Sequence, residues 1–170
     1  MDLKNLIRTI PDFPKKGILF RDITTLLNNR KAFKITIDRL ANLFKDKKID
    51  YIVCAEARGF ILGGALAYKL GCGFVPVRKP GKLPYKSYKV SYGLEYGKDS
   101  FCIHRDAFPK GAKILIVDDL LATGGTAHAI VKLVRKLRGK IAGIVFLIEL
   151  LSLRGRRKLK PYPVYSLIKF

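Results

Sequence analysis

Cysteine is scarce: Cys54, Cys72 and Cys102 are the only three in 170 residues, too few and too widely spaced for a disulfide framework. Nor do they form a CxxC or Cys/His metal spacing. They read as reduced thiols in a reducing compartment, each a small core residue. Long apolar runs are missing as well. No stretch reaches the roughly 18 uncharged residues of a membrane span. The opening MDLKNLIRTIPDF has neither the apolar segment nor the small-residue cleavage site of a signal peptide. A cytoplasmic protein with no membrane partner is expected. Repeats, low-complexity tracts and Pro/Gly/Ser linkers are also absent, which leaves one domain over residues 1–170.

Acids are in short supply. Thirteen Asp and Glu face 34 Lys and Arg, a formal charge of +21 that attracts polyanions. The basic residues are nevertheless spread along the whole chain, mostly as Lys, with no recognisable nucleic-acid module and no basic run flanked by stacking aromatics. They read as solvated faces, and no specific nucleic-acid partner is expected.

What is present is a substantial apolar content, 49% of the residues, arranged in alternating patterns. An irregular arm of about 25 residues leads to AFKITIDRLANLFKD, where Phe33, Ile37, Leu40 and Phe44 fall at helical spacing. DYIVCAE, GFILGGALAYKL and GFVPVRK then read as strand, helix and strand, a βαβ unit. KVSYGLEYG and DSFCIHRDAF look like paired strands. AKILIVDDL is a third core strand. The helix after it sets Ala127, Ile130, Val134 and Leu137 on one face and Lys132, Arg135 and Lys136 on the other, with Gly139 where it should stop. KIAGIVFLIEL and YPVYSLIKF complete the strands. The fold class is α/β, a mostly parallel central sheet flanked by helices, whose ligands bind at the carboxyl ends of strands.

One junction carries the chemistry. In ILIVDDLLATGGTAHAI a buried strand ends in Asp118 and Asp119, and a helix begins within a few residues after Ala122, Thr123, Gly124, Gly125 and Thr126. Free amides at a helix start hold a phosphate, glycines allow close approach, and threonine hydroxyls add donors. The loop lacks the Lys of a nucleoside triphosphatase loop and the third glycine of a dinucleotide fingerprint. Ionised carboxylates accept hydrogen bonds from a vicinal diol. An anion loop beside two acids therefore suits a ribose 5-phosphate. For an isolated Gly-Gly turn, a capped helix would be the simpler account.

ILIVDDLLATGGT resembles the phosphoribosyl pyrophosphate motif of type I phosphoribosyltransferases. FPKKGILFRDIT, EARGFILGGALA, VPVRKPGKLP, YGLEYGKDSFCIHRDA and IELLSLRGRRKL match the same family in order and at its spacing. The resemblance implies a small hood and base-binding arm over residues 1–30, and a core over 31–170 with a flexible flap at about 80–106. It also implies transfer of a phosphoribosyl group from 5-phosphoribosyl pyrophosphate to a purine. By the wording of the loop that purine is adenine, with AMP and pyrophosphate as products. A relative using another purine, or a nucleic-acid-binding regulator that keeps the ribose phosphate site, is the alternative.

The same resemblance assigns the remaining residues. Glu56, Ala57, Arg58 and Gly59 form the pyrophosphate loop, with a cis peptide between Glu56 and Ala57. Arg78, Lys79 and Lys82 add cations, although in a chain so rich in Lys they also fit a solvated loop. Glu95 is the proton carrier for the purine, and Tyr96 helps the flap cover the site. Together with Asp118, Asp119 and Arg58, Glu95 makes up the expected catalytic set. Leu19, Phe20, Arg21 and Leu120 form the adenine pocket, partly through backbone groups. Mg²⁺ is implied as cofactor without an assigned protein ligand, and a homodimer as the assembly. Cys102 departs from the family, where a Glu is common, and His128 reads as a partly exposed helix residue.

Overall fold

A computed structural model of the chain describes residues 1–94 and 97–170; Glu95 and Tyr96 lie outside the described residues. The N-terminal arm is more regular than its Pro- and Gly-rich sequence suggests. After a short 3-10 turn, β1 (Arg8–Ile10) pairs antiparallel with β2 (Phe20–Asp22). Asp22 fastens this pair, accepting from Arg8 Nη2 at 2.6 Å and from the Thr24 amide at 2.9 Å. The hydrogen bonds from Thr24 and Arg8 lower its carboxyl pKa to about 2.

A short α1 (Thr24–Asn28) precedes α2 (Arg30–Asn42), which starts where the Asn29 side chain accepts from the Ala32 amide at 2.9 Å. β3 (Tyr51–Ala55), α3 (Arg58–Leu70) and β4 (Gly73–Val77) form the expected βαβ unit. β5 (Ser87–Leu94) and β6 (Gly97–His104) make an antiparallel hairpin. β7 (Lys113–Leu121), α4 (Gly125–Lys136), β8 (Lys140–Glu149) and β9 (Val164–Lys169) follow. The main sheet has five parallel strands in the order β4-β3-β7-β8-β9.

Alternation along the strands decides which helix packs where. Ile52, Cys54, Leu115, Val117, Val145 and Leu147 face α2 and α3, whereas Val53, Ala55, Ile114, Ile116, Ile144 and Phe146 face α4 and the hairpin. Both faces are covered, which explains why β7 and β8 read as continuous apolar runs. Full burial of a side chain such as Leu115 or Ile116 contributes roughly 1.5–3 kcal/mol.

The polar face expected for α4 is present, with Lys132, Arg135 and Lys136 exposed and Ala127, Ile130 and Val134 buried. Its end differs from expectation. The left-handed residue is Arg138, at φ +58°, not Gly139. A Cβ on Gly139 would meet Val134 and Phe108 side-chain carbons at 2.9 Å, so its glycine serves close packing. Cys54 and Cys102 are buried as expected, while Cys72 is half-buried, and all three are free thiols. Among the described residues no helix is long and apolar enough to cross a membrane.

Candidate active site

The carboxyl ends of β3 and β7 lie side by side in the sheet, and the two loops singled out in the sequence leave from them. At the end of β7 the chain turns into α4 through Gly124, whose φ of +82° is a conformation side chains rarely tolerate. Among the described residues no backbone carbonyl accepts from the amides of Ala122, Thr123 or Gly124. The first turn of α4, with Gly125 and Thr126, adds further amides that have no partner within the helix. Residues 122–126 are therefore a main-chain loop suited to cradle an anion.

The cradle is braced from behind by a segment that sequence reasoning did not single out residue by residue. A Cβ on Gly124 would lie 2.6 Å from the Gly155 carbonyl oxygen, and one on Gly155 would lie 2.3 Å from the Ala122 carbonyl oxygen. The two backbones touch. Gly155 is placed by its neighbour Arg156, which binds the buried Glu149 at the end of β8 through Nε at 2.5 Å and Nη2 at 2.6 Å. Arg156 also donates to the Val164 carbonyl at 2.6 Å. The Arg156 contact is the first cause of a lowered Glu149 pKa. Arg156→Met, which leaves the buried Glu149 without its cation and with the Ser166 hydroxyl as its remaining side-chain donor, is expected to cost about 2–4 kcal/mol in urea unfolding at pH 7, at or below the usual range because Arg156 is partly exposed. Because the Glu149 pKa is depressed in the folded protein, this loss is complete above the ordinary glutamate range and shrinks as pH falls through the lowered value.

Asp118 and Asp119 are both buried, at 9% and 5% exposure. Asp119 Oδ2 is bound by Arg58 Nε at 2.9 Å, an ion pair that links the start of α3 to the end of β7. Asp118 Oδ1 accepts from the Asp119 amide at 2.9 Å. Burial, and next the charge of Asp119, hold the Asp118 pKa well above the ordinary carboxyl range. The two acids therefore differ in their surroundings: Asp119 has a cation beside it, whereas burial makes Asp118 hold its proton more tightly. Gly59 makes the approach possible, since a Cβ there would sit 2.9 Å from Asp118 Oδ1.

In the loop after β3, the peptide between Glu56 and Ala57 is cis, as the resemblance implied. The Glu56 carboxylate accepts from the Lys79 amide at 2.6 Å and from Arg78 Nε at 3.2 Å. It thereby fixes the basic loop beside the Arg58 loop. Burial opposes its ionisation, yet these hydrogen bonds keep its pKa below the ordinary value. Lys79, Pro80, Gly81 and Lys82 form a turn closed by the Lys82 amide on the Lys79 carbonyl at 3.2 Å, with Gly81 at φ +81° as a type II turn requires. Lys82 is exposed, whereas Arg78 pairs with Glu56 and Lys79 with Asp99. The cations expected for pyrophosphate are thus gathered, but Arg58, Arg78 and Lys79 are already paired within the protein.

The arm brings Phe20 beneath the Arg58 guanidinium, 5.2 Å from ring to carbon, and Phe13 edge-on to Phe20 at 5.0 Å. Leu19 is 54% exposed, Leu120 is half-buried, and Arg21 lies over the Phe170 ring at 3.8 Å. Phe20 therefore joins the same end of the sheet as Arg58 and Asp119, while the Arg21 side chain turns to the C-terminal residue. His128 is half-buried, its Nδ1 at 3.1 Å from the Lys158 carbonyl oxygen.

A doubly covered parallel sheet with a main-chain anion cradle beside a carboxylate pair, and a second cation-rich loop on the neighbouring strand, defines a protein that handles a phosphorylated sugar. The phosphoribosyl transferase domain profile matches residues 22–169. The chain belongs to the phosphoribosyltransferase family. It is 60% identical to the adenine phosphoribosyltransferase of Brachyspira hyodysenteriae over 170 residues, all of both chains. The crystal structure of adenine phosphoribosyltransferase from Thermoanaerobacter pseudethanolicus superimposes with a TM-score of 0.97 at 56% identity, covering 99% of this chain and 98% of that one. The Saccharomyces cerevisiae adenine phosphoribosyltransferase, crystallised with an imino-altritol bisphosphate and adenine, gives 0.91 at 45% identity, covering 96% and 95%.

Proposed function

We propose that this protein transfers the 5-phosphoribosyl group of 5-phosphoribosyl pyrophosphate to adenine, giving AMP and pyrophosphate. The observation that carries the reading is the junction of β7 and α4, where main-chain amides open beside Asp118 and Asp119. The cradle over 122–126 takes the 5-phosphate, and the acids face the ribose. As the bond from the anomeric carbon to pyrophosphate breaks ahead of attack by the base nitrogen, positive charge grows on the sugar, and carboxylates placed beside it stabilise that charge. The two electrons of the broken bond leave with pyrophosphate, whose charge Arg58, Arg78, Lys79 and Lys82 offset.

Adenine sits against Phe20 and Leu120, with backbone groups of Leu19 and Arg21 at its edge. Its imidazole proton passes to Glu95 as the new C–N bond forms, and Tyr96 helps cover the site. These two roles rest on the family resemblance. Mg²⁺ belongs to the same reading. Among the described residues no three His, Cys, Asp or Glu side chains gather as ligands. Oxygen-rich substrate phosphates with Asp119 nearby suit a hard cation held chiefly by the substrate. Bound there, it would offset pyrophosphate charge.

A homodimer is supported by Ile61 and Tyr68 on α3 and Phe74 on the edge strand β4, which stay 46%, 91% and 36% exposed. Three free thiols favour a reducing, cytoplasmic setting. With Mg²⁺ and labelled 5-phosphoribosyl pyrophosphate, purified protein should form AMP from adenine and at least about 100-fold less nucleotide from hypoxanthine, guanine or xanthine. Preferred use of another purine would reject the substrate, and DNA binding that outlasts high salt without turnover would favour the regulator.

A further inference from the structure

In the β5–β6 hairpin Tyr92 stands directly opposite Asp99, so both side chains project from one face. Phe101, two residues further along, shares that face, and its ring stacks on Tyr92 with centroids 5.6 Å apart and an interplanar angle of 11°. This face turns inward over the cradle. Tyr92 ring carbons lie 3.6 and 3.9 Å from where a Cβ on Gly125 would sit, so the ring packs on the first turn of α4. The other face is polar, with Ser91 Oγ and Ser100 Oγ 2.8 Å apart.

Asp99 joins three parts of the site. Its Oδ2 accepts from Tyr92 Oη at 3.1 Å and from the Lys79 ammonium, and its Oδ1 accepts from the Ser100 amide at 2.8 Å. The ammonium also lies 4.5 Å above the Phe101 ring. Burial works against ionisation of Asp99, but Lys79 and the Ser100 amide keep its carboxyl below the ordinary range, so it is charged at neutral pH. Burial pushes the Tyr92 hydroxyl up to about 12, and it remains a donor.

We propose that Asp99 is a positioning residue for the transfer: it holds Lys79 against the hairpin when the site is empty and surrenders it to pyrophosphate when substrate is bound. The inference rests on the reading that pyrophosphate is the leaving group. A single carboxylate holds an ammonium well enough to fix its position, while pyrophosphate, with several charges, outbids it. After transfer, Asp99 recaptures Lys79, which loosens the product and lets it depart. Tyr92 keeps the carboxylate and the cradle in register throughout.

The test is a double-mutant cycle on the full chain, reading pyrophosphate binding by calorimetry together with AMP formation. Without its competitor, Asp99→Asn should bind pyrophosphate about 3- to 10-fold more tightly and show a lower kcat through slower product release. Lys79→Met should weaken binding, and Asp99→Asn added to it should change affinity by less than about twofold. A carboxylate that only braced the hairpin would lower thermal stability without tightening pyrophosphate binding, and that result overturns the proposal. An equal effect of Asp99→Asn with and without Lys79 overturns it too. A parent protein that forms no AMP removes the transferase reading itself. A parent that turns over, alongside an Asp99→Asn variant of unchanged pyrophosphate affinity, sinks this inference alone.

Discussion

Gly155→Ala should lower stability by about 2–4 kcal/mol and weaken ribose 5-phosphate binding more than about tenfold, although glycine has no side chain to offer either. The added Cβ would lie 2.3 Å from the Ala122 carbonyl oxygen, 2.8 Å from Leu121 Cδ1 and 3.1 Å from the Gly124 nitrogen. Two of these are backbone atoms of the cradle, so relief requires the cradle itself to move. Gly124→Ala meets the same wall from the other side, 2.6 Å from the Gly155 carbonyl oxygen, and adds the strain of φ +82°. Thermal unfolding and calorimetric titration with ribose 5-phosphate would report both losses. A Gly155→Ala protein with parental melting temperature and affinity would mean that the segment before Arg156 yields freely, and that Glu149 and Arg156 do not brace the loop.

The contrast between Gly124 and Gly155 also indicates which parts of the site were legible in the sequence. Gly124 announces itself locally, because a buried strand, two acids and a helix start surround it within a dozen residues. The brace at Gly155 lies about thirty residues away, and only the return of the chain after β8 brings it home. The parallel strands were readable for the same local reason. Each apolar run is bounded by turn residues, and the helices between them show one buried face. In the arm, β1 and β2 are three residues each, separated by nine irregular residues and without alternation, so no periodic signal reports their pairing. Charge was the least legible property. Arg78 and Lys79 look free in the sequence, but Glu56, some twenty positions earlier, holds the Arg78 side chain and the Lys79 amide, and Asp99, twenty later, takes the Lys79 ammonium. Period-two spacing places Asp99 and Phe101 on one strand face; the pairing with Tyr92 depends on hairpin register. The cost of burying Asp118 depends on packing from α3, which no local pattern encodes.

Asp118→Asn and Asp119→Asn are expected to share a loss of turnover, about 100-fold or more in each, and to move stability in opposite directions. Asp119 holds Arg58 at 2.9 Å, and with Arg58 42% exposed the pair is screened; its removal lowers stability by no more than about 1 kcal/mol. Asp118 is buried beside that charge and its pKa is raised well above the ordinary value. The folded state therefore holds this proton more tightly than the unfolded state, and stability falls as pH rises through the ordinary carboxyl range toward the raised value. An amide of the same shape has no proton to lose. Asp118→Asn should match the parent in acid, below the ordinary carboxyl range, and gain about 1–3 kcal/mol over it as pH rises to neutrality. Thermal unfolding at pH 4 and pH 8 with turnover measured alongside separates the cases, and an Asp118→Asn protein no more stable than the parent at pH 8 would show that its carboxylate is not penalised. A residue whose removal strengthens the fold and abolishes the reaction is kept for its chemistry, at a cost in stability.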